Sequence, residues 1–179
     1  MRRFVLLACA VGVALVSLAG AEVAAQAQED ASLEEAPPKA VLMKGNKVLQ
    51  KGGVGTYCNI TGCADSFDIF PDPRTVALVK AGTPLRIRIM TPEEPAGDSL
   101  VSYRRLTEHG LIKGKARVHA DPPLEPVVQD GRTVAWDASF TVRRPDRHYY
   151  MYFGAGWVLE SGRGQTYEWG FHVRTRAGT

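Results

Sequence analysis

The chain has 179 residues, 22 Lys and Arg against 19 Asp and Glu, and 45% hydrophobic residues, enough for one domain with a real core and no extra staples. Its formal charge is +3. No basic helix, glycine-rich arginine tract or zinc-ligand spacing accompanies that charge, so no nucleic-acid partner is expected.

The N-terminus reads as an export signal. Met1-Arg2-Arg3 is a short positive stretch, and Phe4 to Leu18 is apolar apart from Gly12 and Ser17. The run is short for a bilayer span, and small-residue cleavage sites follow at Ala19-Gly20-Ala21 and Ala25-Gln26-Ala27. Residues 1–27 are therefore expected to be a signal peptide and the protein secreted or held in the cell envelope. The alternative is an uncleaved anchor, the only membrane contact expected. Cys9 lies inside the apolar run rather than at its end, so it belongs with the discarded peptide and not with a lipoprotein box. Residues 28–39 carry four acids, one base, Pro37-Pro38 and a single large apolar residue, Leu33. Such a segment cannot bury enough to offset its ordering entropy and is expected to be a disordered acidic linker. Residues 40–179 remain as the domain, with 19 Lys and Arg against 14 Asp and Glu. That excess suits an anionic partner such as a cell-wall polymer, a lipid head group or an acidic protein, although a solvated strand face accounts for the same residues.

Along the domain, Ala40 to Gln50 reads as a strand or short hairpin turning at Lys44-Gly45-Asn46-Lys47. Val54 to Cys58 is a strand end, followed by the loop Cys58 to Cys63. Thr75 to Val79 is a short β-branched strand. Leu85 to Met90 alternates cleanly, with Leu85, Ile87 and Ile89 inward and Arg86 and Arg88 outward. Leu100 to Leu106 fits a helix or a strand; strands on either side favour the strand. Leu111 to His119 is a weaker strand, and Asp121-Pro122-Pro123 with Pro126 reads as a surface crossover. Asp130-Gly131 is a turn. Three aromatic-rich strands close the chain: Val134 to Val142, His148 to Phe153 and Thr166 to Val173. In the first, Val134, Trp136, Ala138, Phe140 and Val142 share a face; in the last, Tyr167, Trp169, Phe171 and Val173 oppose Glu168, His172 and Arg174. No amphipathic helix and no internal repeat is required. The fold class expected is all-β, a single Ig-like antiparallel β-sandwich.

Cys58 and Cys63 are the cysteines left after signal removal, and in an exported chain such a pair implies a disulfide. Their C-x4-C spacing is not that of a C-x-x-C redox pair. Asn59-Ile60-Thr61 matches a glycosylation sequon but falls inside the small cysteine loop. Asp65, Asp68 and Asp72 lack the glycine and closing glutamate of a calcium loop. His109, His119, His148 and His172 have no metal-ligand spacing, but His148 and His172 would meet if their strands pair; solvent-facing strand histidines are the ordinary outcome. No G-x-S-x-G elbow or H-E-x-x-H is present, so no catalytic residue, metal ligand or cofactor is assigned. The binding residues expected are Arg143, Arg144 and Arg147 with Tyr150, Tyr152 and Trp157, since exposed Tyr, Trp and Arg dominate interface hot spots. Core packing is the competing role for the aromatics.

Gly55-Thr56-Tyr57-Cys58 with Cys63-Ala64-Asp65, a late Trp136 strand, the strand around Tyr149 to Tyr152, and the closing Gly164 to Val173 strand together resemble a group of secreted bacterial Ig-like β-sandwich proteins of uncharacterised function. Asn59 stands where that group usually carries Trp. The resemblance implies the fold and the disulfide, and no activity. The expected function is thus an exported, non-catalytic β-sandwich binding an anionic envelope component or a protein partner. The alternative is a metal-handling protein or an enzyme whose site is assembled from distant loops.

Overall fold

A computed structural model describes residues 36–59, 62–64, 76–97, 99–107, 112–144, 147–158, 162 and 164–177. The expected signal peptide, most of the linker, Asp65, Asp68, Asp72 and His109 lie outside the described residues, as do the side chains of Asn59 and His119. All regular structure among the described residues is strand: β1 (Lys39–Lys44), β2 (Lys47–Lys51), β3 (Gly53–Asn59), β4 (Gly62–Ala64), β5 (Ala77–Lys80), β6 (Pro84–Met90), β7 (Leu100–Leu106), β8 (Ile112–Ala120), β9 (Leu124–Gln129), β10 (Arg132–Thr141), β11 (His148–Val158) and β12 (Gly164–Arg176). One sheet runs β2-β1-β6-β10-β9; the other runs β4-β3-β12-β11-β7-β8, with β5 on β12. Pairing is antiparallel except for β5 with β12. The chain is an all-β sandwich.

Alternation builds the core between the sheets. From the first sheet Leu42, Leu85, Ile87, Ile89, Ala138 and Phe140 face inward; from the second, Val101, Met151, Phe153, Trp157, Tyr167, Trp169, Phe171 and Val173. The rings interlock, Phe153 lying 5.9 Å from Trp169 and Trp157 5.6 Å from Tyr167 between centroids. The two indoles of the core cluster both find a partner for their N–H. Trp169 Nε1 donates to the Pro38 carbonyl (2.9 Å) and Trp157 Nε1 to the Glu93 carbonyl (3.2 Å), so the ring cluster also ties down the chain's entry and the β6–β7 loop.

Leu100 to Leu106 is a strand, and the register Met151↔Tyr103, Phe153↔Val101 places it beside β11. Two expectations change. Pro126 belongs to β9, not to the crossover, which shrinks to residues 121–123; β9 is the sheet's outer strand, the place in a sheet where proline is found. Asp130 (φ 51°) and Gly131 (φ 76°) then make the two-residue turn from β9 to β10, both in the left-handed region that such hairpins require. The other change is Val134, 40% exposed while Ala135 is buried. The register shift between Thr133 and Ala135 breaks the alternation there and restores it at Trp136.

β12 meets two partners along one edge: β3 from Thr166 to Gly170 and β5 from Val173 to Arg176. In the gap, Gln50 Oε1 accepts the His172 amide (2.8 Å), a side chain replacing a strand. Gly52 lies beneath the Phe171 ring, so close that a Cβ there would stand 2.9 Å from Phe171 Cζ. Cys58 and Cys63 are directly paired residues of the β3–β4 hairpin and are disulfide-bonded, as oxidising conditions allow.

Candidate anion-binding site

The strand order places the end of β7, the start of β8, the start of β11 and the end of β12 together at one end of the larger sheet. Register fixes the neighbours: Tyr149↔Arg105, His148↔Arg174 and Arg105↔Lys113. There a pocket of about 730 Å³ is lined by Arg105, Leu106, Thr107, Lys113, Arg147, His148, Arg174, Thr175 and Arg176. Five of these nine side chains carry a fixed positive charge and none is acidic. No described carboxylate forms an ion pair with any of the five; the short bridges at Asp137 go to Arg86 and Arg88 on the other sheet. Glu108 and Asp146, near in sequence, lie outside the described residues.

The pocket wall is fixed by Thr175. Its Oγ1 donates to the Arg144 carbonyl (2.7 Å) and accepts the Arg147 amide (3.1 Å), while its own amide donates to the Arg147 carbonyl (2.8 Å). One buried hydroxyl on β12 thus holds both ends of the segment that leads into β11. Next to it, His148 and His172 stack with centroids 4.4 Å apart and planes 12° apart. Neither Nε2 has a hydrogen-bond partner. Burial, then the neighbouring His148, pushes His172 down to about 4. His148 is also lowered, by burial and by Arg174, against a backbone hydrogen bond at Thr107. Metal ions sit in the plane of a ligating imidazole about 2.0–2.1 Å from nitrogen, and two nearly parallel planes share no such point. In this arrangement the pair does not chelate an ion. Among the described residues no three His, Cys, Asp or Glu side chains gather around a common centre.

A second cavity, of about 220 Å³, opens between the sheets at the same end and is lined by Tyr103, Val142, Arg143, Arg144, Tyr149 and Met151. Tyr103 meets Tyr149 edge-on at 5.1 Å. The Tyr149 phenol is raised by burial and by Tyr103, and drawn back down by Arg144, Arg147 and Arg105.

The structure distributes the six expected binding residues over four places. Arg147 lines the cationic pocket; Arg143 and Arg144 are exposed at the mouth of the second cavity. Tyr150 and Tyr152 lie on the outward face of the larger sheet, in edge-on contact at 4.6 Å, with the Arg104 guanidinium 5.7 Å from the Tyr152 ring. Tyr150 is nonetheless 1% exposed, and its phenol is raised chiefly by burial. Trp157 is 2% exposed and belongs to the core. Sequence reasoning did not single out Arg105, Lys113, Arg174 and Arg176 as a site. The signal available was the cationic strand ends Arg104-Arg105 and Arg174-Thr175-Arg176, uninformative until the register is known.

Neither family models, curated proteins nor solved structures match this chain.

Proposed function

We propose that this chain is an exported, non-catalytic β-sandwich of Ig-like build whose cationic end captures an anionic component of the cell envelope. The observation that carries the reading is the convergence of Arg105, Lys113, Arg147, Arg174 and Arg176 on one pocket without a described counter-charge. A group of exposed cations without a described counter-charge raises the local concentration of anions, an attraction that salt screens. Arginine supplies most of the donors, in the planar fork that matches phosphate and carboxylate oxygens. Export rests on the N-terminal sequence and on a disulfide that the cytosol would not maintain.

Isothermal titration of the purified full chain with pyrophosphate tests the reading. Arg147→Glu with Arg174→Glu is expected to weaken binding tenfold or more, and raised salt to weaken it further. Lys47→Glu with Lys51→Glu makes the same charge change on β2, the edge strand of the other sheet, and is expected to cost less than threefold. Equal losses in the two variants would mean that net charge, not this pocket, attracts the anion.

A further inference from the structure

The cationic pocket and the cavity between the sheets are linked through Thr175 and the backbone at Arg144 and Arg147. Arg144 lines the cavity and Arg147 the pocket, and Thr175, itself a pocket residue, bonds to the backbone of both. Tyr149 lines the cavity while its strand partner Arg105 lines the pocket. The charges of Arg144, Arg147 and Arg105 all act on the Tyr149 phenol, drawing it back down against burial. Away from these cations the cavity is walled by Val142, Met151 and the Tyr103–Tyr149 ring pair. Its volume of about 220 Å³ exceeds the roughly 150 Å³ of an apolar cavity that stays dry and accepts benzene. Cations at the mouth with an apolar interior behind them are complementary to a molecule with one anionic end and one hydrocarbon end.

We propose that the ligand is an alkyl-chain phosphate amphiphile, its phosphate held by the cationic pocket and its chain entering the cavity between Val142, Tyr149 and Met151. This rests on the anion-binding reading above and adds the apolar half of the ligand. Val142 and Met151 are almost wholly buried, so a chain reaching them leaves water. Each methylene transferred from water is worth about fourfold in affinity, so a chain that enters gains with length.

The test is a titration of the full chain with ethyl, butyl and n-octyl phosphate below the micellar range, with pyrophosphate in parallel. The expected result is an affinity at least tenfold higher for octyl than for ethyl phosphate. In a chain labelled with ¹³C-methyl methionine, the Met151 methyl should shift with octyl but not with ethyl phosphate, while Met43 and Met90 stay still. Val142→Phe, which puts bulk into the cavity, should lower the octyl-to-ethyl ratio towards one. If pyrophosphate binds but the alkyl series is flat and Met151 does not move, the amphiphile proposal is overturned and the anion site stands. If no phosphate binds at all, both are overturned. Vesicles containing phosphatidylglycerol separate the sources: displacement of octyl phosphate by vesicles supports an envelope lipid, and its failure with octyl binding intact supports a free amphiphile of the same chemistry.

Discussion

Acid should destabilise this protein through His172. The side chain is 6% exposed and stacked on His148, with its amide held by Gln50 of β2. Tyr150 stands opposite it on β11, and Arg174 lies two residues further along its own strand. No carboxylate is among the causes of its shift, and burial with the neighbouring His148 holds it near 4, against 6.5 for a free side chain. The unfolded chain therefore takes up a proton that the folded chain refuses. Stability from this residue is intact above pH 6.5, falls as pH drops towards 4, and falls no further below that. Between pH 7 and pH 4.5 the loss is roughly 2 kcal/mol, worked from the difference between 4 and 6.5. Urea unfolding followed by tryptophan fluorescence at the two pH values measures it. Carboxylates contribute their own pH dependence, so the comparison is with His172→Phe, which keeps a stacked ring and cannot titrate. The variant should lose roughly 2 kcal/mol less than the parent over the same interval. Equal losses would show that the buried imidazole is not what senses acid.

Asp137→Asn should lower stability by about 1–3 kcal/mol in the same assay at pH 7, because Arg88 makes two bonds to that carboxylate (2.8 and 2.9 Å) and Arg86 a third contact at 3.2 Å. Cys58→Ser with Cys63→Ser should cost about 2 kcal/mol, the loop closed being short. It should leave pyrophosphate affinity within twofold, since β3 pairs with the opposite end of β12 from the pocket. Gly52→Val should cost more than Gly45→Val, although only Gly45 has a positive φ among the two, because a Cβ at Gly52 meets the fully buried Phe171 ring; thermal melts of both variants rank them.

What was legible in the chain were the features set by local pattern. Leu85, Ile87 and Ile89 read as inward because alternation over seven residues has one solution, and all three are at most 2% exposed. Asp130-Gly131 read as a turn because few other residues accept its dihedrals. The misplacements came from features that alternation does not encode. A register shift reversed Val134, and proline concealed an edge strand around Pro126. His172 and Tyr150 read as outward residues, which is correct for their parity and wrong for their exposure, since burial of a sheet's outer face depends on what lies over it. The cationic pocket was the least legible. Its charges span Arg105 to Arg176, and only the order β12-β11-β7-β8 brings those strand ends together. Arg147 is expected at a binding site from its place beside the tyrosine-rich β11, whereas the cations that line its pocket with it are Arg105, Lys113, Arg174 and Arg176.

The most direct test observes the guanidinium groups themselves. In a ¹⁵N-arginine-labelled chain titrated with pyrophosphate, the Nε resonances of Arg105, Arg147, Arg174 and Arg176 should move together and saturate, while Arg86 and Arg88, held by Asp137, remain in place. Uniform drift of all arginines, or movement confined to residues outside this group, would contradict an anion site at this end of the sandwich.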